Sequence, residues 1–157
     1  MQLRPLATAA AVLALAVPLS SCGFDYATDR VNQVSGGATN REGDVDILSA
    51  VVVSAAEGSG TFVASFSNND PDHEQTFTAI AGGEGTAITA SDFDPVTISA
   101  GGLVNLAEPP ADIVLTGDFG AGDVLPLTID FGNGERISLN VPVVADDTGY
   151  WEGMDAS

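Results

Sequence analysis

Two stretches near the end of the chain, Val124 to Phe131 and Arg136 to Val144, place an apolar side chain at almost every second position. Leu125, Leu127, Ile129 and Phe131 alternate with Thr128 and Asp130, and Ile137, Leu139, Val141 and Val143 alternate with Ser138 and Asn140. A period of two belongs to a strand with one face in a core and the other in water. Gly132-Asn133-Gly134 between the runs provides the backbone freedom of a tight hairpin. Strands of a parallel sheet, covered on both faces, would be apolar throughout. The pair therefore points to antiparallel sheet.

The same pattern, less regular, extends back to Val45. Short runs rich in Val, Ile, Thr and Phe are broken by Gly, Pro, Asn and Asp, the punctuation of an all-β chain. A second hairpin is expected from Val45 to Ala56 and Thr61 to Ser67 through Gly58-Ser59-Gly60. Shorter strands are expected near Gln75 to Ala81, Ala87 to Thr89, Val96 to Ser99, Leu103 to Leu106 and Ile113 to Thr116, with no helix. Seven or eight strands make one immunoglobulin-like β-sandwich. Phe62, Phe66, Phe77 and Phe131 sit in apolar strand runs and are assigned to its core. Tyr150 and Trp151 lie in a polar tail, residues 145–157, and are free either to fold back or to stay in solvent.

Charge excludes several functions. The 157 residues carry 22 Asp and Glu against 4 Arg, with no lysine, for a net charge of −18. Such a field repels nucleic-acid phosphates and anionic headgroups, whose binding depends on Lys and Arg. No nucleic-acid partner is expected. Acidity alone would be compatible with disorder, but 45% hydrophobic residues are enough to offset the entropy of ordering.

The beginning of the chain is of another kind. One positive residue, Arg4, is followed by an apolar run from Leu6 to Val17 that is short for a bilayer span and reads as a signal peptide, residues 1–21. Leu19-Ser20-Ser21-Cys22-Gly23 resembles the lipobox of bacterial lipoproteins, in which the cysteine receives diacylglycerol and becomes the new N-terminus. Cys22 is the only cysteine, so no internal disulfide competes for it. Two or three acyl chains such as palmitate, at about 0.8 kcal/mol per buried methylene, anchor a domain stably. The expected location is thus the extracytoplasmic face of a cell membrane. From Gly23 to Asp44 the Gly-, Thr-, Asn- and Asp-rich chain reads as a tether with a mean reach of roughly 25 Å.

Three segments carry a further resemblance: Thr61 to Asn69, Ile98 to Leu106, and Gly122 to Phe131 with Val141-Pro142-Val143. In this order they resemble the PCu(A)C copper chaperones over about residues 45 to 144. The resemblance implies a cupredoxin-like Greek-key sandwich, and for the family a role as extracytoplasmic carrier of Cu(I). Soft Cu(I) prefers imidazole and thioether ligands. The family's His-x-Met falls on Asp112 and Val114 when Gly117 is matched to the family glycine before the last hairpin. Its other His and Met would lie between Gly85 and Asp94, where this chain has neither residue type. The copper site that the resemblance implies is expected to be absent, and no cofactor is assigned.

Beyond the signal segment, His73 and Met154 are the only histidine and methionine. Far apart in sequence, they make a poor Cu(I) cage. The loop Asn68 to Glu74 gathers oxygen donors, with Asp70, Asp72, His73 and Glu74 as metal candidates; hard ions such as Ca²⁺ suit such groups, although the spacing is not that of an EF-hand and an ordinary solvated turn has the same composition. Nucleophilic catalysis lacks its parts: Cys22 is committed to lipid, lysine is missing and one loop histidine remains. The sequence therefore reads as a non-catalytic, membrane-anchored module acting on an unidentified protein or small ligand, the alternative being an extracytoplasmic carrier of copper or Ca²⁺.

Overall fold

The computed structural model describes residues 36–147 and 149–157; Cys22, the apolar run before it and most of the expected tether lie outside them. The described chain is all β apart from one turn of 3-10 helix at Gly149–Trp151. Ten strands follow in order: β1 Ala38–Asn40, β2 Val45–Ser54, β3 Ser59–Asn68, β4 Gln75–Gly82, β5 Thr89–Ala90, β6 Val96–Ile98, β7 Leu103–Asn105, β8 Val114–Thr116, β9 Val124–Phe131 and β10 Arg136–Ala145.

The strands form two layers joined by β10. One layer runs β5-β8-β3-β2, with β1 also on β2 and β7 also on β3; the other runs β9-β4-β6. β10 pairs antiparallel with β9 from Arg136 to Pro142, then parallel with β2 from Val143 to Ala145. The antiparallel sandwich expected from sequence thus contains one short parallel seam. Where β10 leaves β2 for the second layer, the edge of β2 from Ile47 to Ala50 would stand unpaired, and β1 occupies it. This corrects the tether reading at its end, since Ala38–Asn40 is paired strand.

The core lies between the layers. Phe62 and Phe66 of β3 meet Phe77 of β4 and Phe131 of β9, with ring centroids 4.9 Å apart for Phe66–Phe77, 5.6 Å for Phe66–Phe131 and 6.4 Å for Phe62–Phe77. All four are buried, as expected. Phe93, from the loop after β5, stacks on Phe77 at 5.0 Å.

An extra residue in β2 decides what the other face of the first layer does. The β2–β3 register advances three residues on β2, from Leu48 to Val51, against two on β3, from Ser65 to Val63. Ser49, inside this bulge, has φ 54°, a left-handed conformation uncommon for serine. One extra residue reverses side-chain parity: Val45 and Ile47 point into the main core, and beyond the bulge Ala50 and Val52 do so. Val51 and Val53 then face outward, where they form a second buried cluster with Val63, covered by Val144, Trp151 and Met154. Gly37 is needed at this point, because a Cβ there would run into the backbone of Ser49.

The second hairpin turns earlier than the sequence suggests. β3 begins at Ser59, so the turn is Ala55–Gly58. Gly60 is a buried strand residue whose Cβ would lie 2.7 Å from Val52 Cγ1 and 2.8 Å from the Val53 carbonyl. Here glycine marks close strand contact, not a turn.

Candidate functional site

The positions that the family resemblance assigns to copper ligands converge at one place. Asp112, exposed and with φ 48°, precedes β8. The loop between β5 and β6 docks against that strand: Ser91 N–H donates to the Val114 carbonyl at 2.7 Å, and Val114 N–H donates to Ser91 Oγ at 3.1 Å. A hollow of about 560 Å³ results, lined by Asp92, Phe93, Asp94, Val96, Ala111 and Asp112. Val114 is half-buried on the neighbouring strand. The stretch from Gly85 to Asp94 thus meets Asp112, and what it brings is two carboxylates and a phenyl ring. Carboxylate oxygen is a hard donor, whereas Cu(I) takes thiolate, thioether or imidazole. The donor set does not fit the ion that the fold family implies.

His73 and Met154 lie at opposite ends of β3. The Asn68 side-chain amide donates to the His73 carbonyl at 2.8 Å, while Ala156 N–H, two residues after Met154, donates to Thr61 Oγ1 at 2.7 Å. From Thr61 to Asn68 is about 23 Å of extended strand. They do not meet in one site, and no group of three or more His, Cys, Asp or Glu side chains suited to a metal occurs among the described residues.

The acidic loop spends much of its oxygen on its own turn. Asp70 Oδ1 accepts Asp72 N–H at 2.8 Å and His73 N–H at 3.1 Å, and Asp70 Oδ2 lies 3.0 Å from His73 Nδ1. The Asp72 amide foremost, then the His73 side chain, hold the Asp70 carboxyl below its ordinary pKa. Asn68 Oδ1 accepts Asp70 N–H at 2.9 Å. Its Nδ2 reaches the carbonyls of His73, Ile98 and Ser99. Asn68 is 2% exposed, so it ties this loop to the end of β6. Asn68→Ala leaves the buried Ile98 carbonyl and the part-buried His73 and Ser99 carbonyls without that donor and is expected to cost about 2 kcal/mol, read by urea unfolding; a change within experimental error would show that water replaces the amide.

A second polar constellation is one that sequence reasoning does not find. The C-terminal strap, residues 149–157, folds back over Val51, Val53 and Val63 and is held by Asp146 and Asp155. Asp146 Oδ1 accepts Met154 N–H at 2.8 Å. Asp155 Oδ2 accepts Ala55 N–H at 2.8 Å, and its Oδ1 accepts the Thr61 hydroxyl and Ser157 N–H, both at 3.0 Å. Partial burial is the largest single influence on Asp155 and pushes its pKa up. The donors from Ala55, Ser157 and Thr61 together outweigh it and hold the carboxyl below its ordinary value. The trace left in sequence is the run Val51-Val52-Val53, apolar on both faces, which requires a cover on each side. Beside the strap lies a wider hollow of about 1010 Å³ that includes Glu57, Asp118, Asp123, Asp146 and Asp147.

No protein-family model matches the chain, and no curated protein matches it. Solved structures do. The chain is similar to the apo PCuAC domain from PmoF1, with TM-score 0.54 and 18% identity over 68% of this chain and 98% of that one. The copper-bound PCuAC domain from PmoF2 gives TM-score 0.54 at 14% identity over 68% and 97%, and the apo PmoF2 domain 0.53 at 14% over 71% and 97%. At this identity the likeness is one of architecture: the described chain has the β-sandwich fold of PCuAC domains.

Proposed function

We propose that the chain is a membrane-anchored extracytoplasmic lipoprotein whose PCuAC-like domain works by binding a partner rather than by catalysis, and that it has lost the family's Cu(I) site. The carrying observation is the hollow at Asp112. There the loop and strand that the resemblance assigns to copper are brought together, and they present Asp92, Asp94 and Asp112. A fold kept without its soft ligands serves as a scaffold for another contact. The scarcity of nucleophiles and bases in the sequence supports a non-catalytic role.

Copper titration tests this directly. The full chain carrying Cys22→Ala, which removes a thiolate that would itself be a soft ligand, is mixed with Cu(I) held by bicinchoninate. The chelator is expected to keep its copper. Transfer to the protein at sub-micromolar affinity would overturn the loss of the site. Anchoring is tested separately by feeding labelled palmitate to a bacterial host: the native chain is expected to take up label and sediment with membranes, and Cys22→Ala to do neither. Equal sedimentation of the variant would refute the lipid anchor.

A further inference from the structure

One groove differs in charge from the two acidic hollows. About 460 Å³ in volume, it runs along the outer face of β3 past Val63 and Ser65, between Asn105 and Ala107 on one side and Tyr150 and Trp151 on the other, with Ser49 at its end. Among the described residues, none that lines it is Asp, Glu, Arg or His, on a chain of net charge −18. Tyr150 is 70% exposed, and its ring meets that of Trp151 edge-on, at 4.9 Å and 87°. The strap that covers Val51 and Val53 therefore also sets an aromatic corner beside a neutral trough. Part of the trough's hydrogen-bonding capacity is not used by the fold. Asn105 Oδ1 accepts Ala107 N–H at 3.0 Å, which leaves the Nδ2 amide as donor. Among the described residues, that amide and the hydroxyls of Ser49 and Ser65 have no hydrogen-bond partner. Ser49 lines the groove from within the bulge, where its φ is 54°.

The lining selects among ligand classes. An anion would meet the field of the whole molecule, and a cation would be drawn to the carboxylate hollows instead. A wholly apolar ligand would dehydrate the Ser and Asn groups without replacing their hydrogen bonds. An uncharged pyranose satisfies each condition: its C–H face packs on aromatic rings, and its rim of hydroxyls exchanges hydrogen bonds with amide and hydroxyl groups. We propose that this groove binds an uncharged saccharide chain, with Tyr150 and Trp151 as the stacking corner and Asn105, Ser65 and Ser49 as the polar contacts. A saccharide gives the binding module proposed above a ligand class, and because the copper titration does not involve this groove the two fail independently.

Trp151 is the only tryptophan of the chain, so its emission reports on the groove. The full chain in detergent is titrated with cellotetraose and with chitotetraose to about 20 mM, since one aromatic corner and a few hydrogen bonds give weak affinity, and calorimetry is run in parallel. Saturable binding of at least one sugar is expected. It should weaken about tenfold in Tyr150→Ala. It should weaken about fivefold in Asn105→Asp, which keeps the acceptor for Ala107 and removes the amide donor. Asp112→Ala, on the separate hollow, should bind as the native chain does. Absence of saturable binding by both sugars, unchanged affinity in Tyr150→Ala, or saturation by a decaproline peptide while the sugars stay silent would each overturn the proposal.

Discussion

Phe77→Ala is expected to lower the free energy of unfolding by about 3–5 kcal/mol. Phe77 is fully buried and stands where the two layers meet. Its ring lies within 6.4 Å, centroid to centroid, of Phe62, Phe66, Phe93 and Phe131. Removing it takes away both the transfer of a large apolar group and the contacts of four neighbours that come from both layers and cannot all collapse inward. A domain of this size has about 5–15 kcal/mol to lose, so the variant should unfold at much lower urea with an unchanged slope. Phe93→Ala, at the half-buried rim, should cost less than half as much. Equal losses for the two would show that the layers do not depend on Phe77.

The second large effect is expected at the strap. Asp155→Ala removes the acceptor of the Ala55 amide, the Thr61 hydroxyl and the Ser157 amide. Thr61 is 4% exposed, so its hydroxyl loses a charged partner in a poorly hydrated place. Discounted for the partial exposure of Asp155, the loss should be about 2 kcal/mol. A red shift of Trp151 emission at neutral pH should accompany it, as the indole leaves Val51, Val53 and Val63. Acid should do the same to the native chain. The folded pKa of Asp155 is lowered, so its carboxylate contributes stability that is complete above the ordinary aspartate value and is lost as pH falls through the folded value, that is, below about pH 4. Asp70 and Asp130 are lowered as well, so the diagnostic quantity is the difference from Asp155→Asn, whose stability should fall less steeply in that range. Parallel curves would show that Asp155 does not hold the strap.

What is legible in the chain follows from periodicity. β9, Val124–Phe131, and β10, from Arg136, lie where the alternation of Leu, Ile and Val puts them. The beginning of β3 is harder to read, because Gly58-Ser59-Gly60 has turn composition although Ser59 is already strand, and Gly60 is glycine for lack of room beside Val52. β1 carries no signal at all, since Ala38-Thr39-Asn40 has no alternation and pairs only because β10 vacates the edge of β2. The strap is nearly as hard to read: Val51-Val52-Val53 calls for a cover on the outer face but does not say which segment supplies it. Asp155 acts on Ala55, 100 positions away, and on Thr61, 94 positions away, and one carboxylate among 22 acids has nothing local to distinguish it. At the candidate site, the resemblance locates Asp112 and the stretch before Asp94. That Asp92 and Asp94 are the residues facing Asp112 depends on the docking of Ser91 against Val114, a contact between segments that periodicity does not describe.

One consequence of β10 concerns how the molecule comes apart. Because a single strand is laced into both layers, through β9 along its first part and β2 along its last, neither layer can peel away while the other persists. Amide protons of β2 and β9 should then exchange with solvent deuterium at matching free energies, in one cooperative opening.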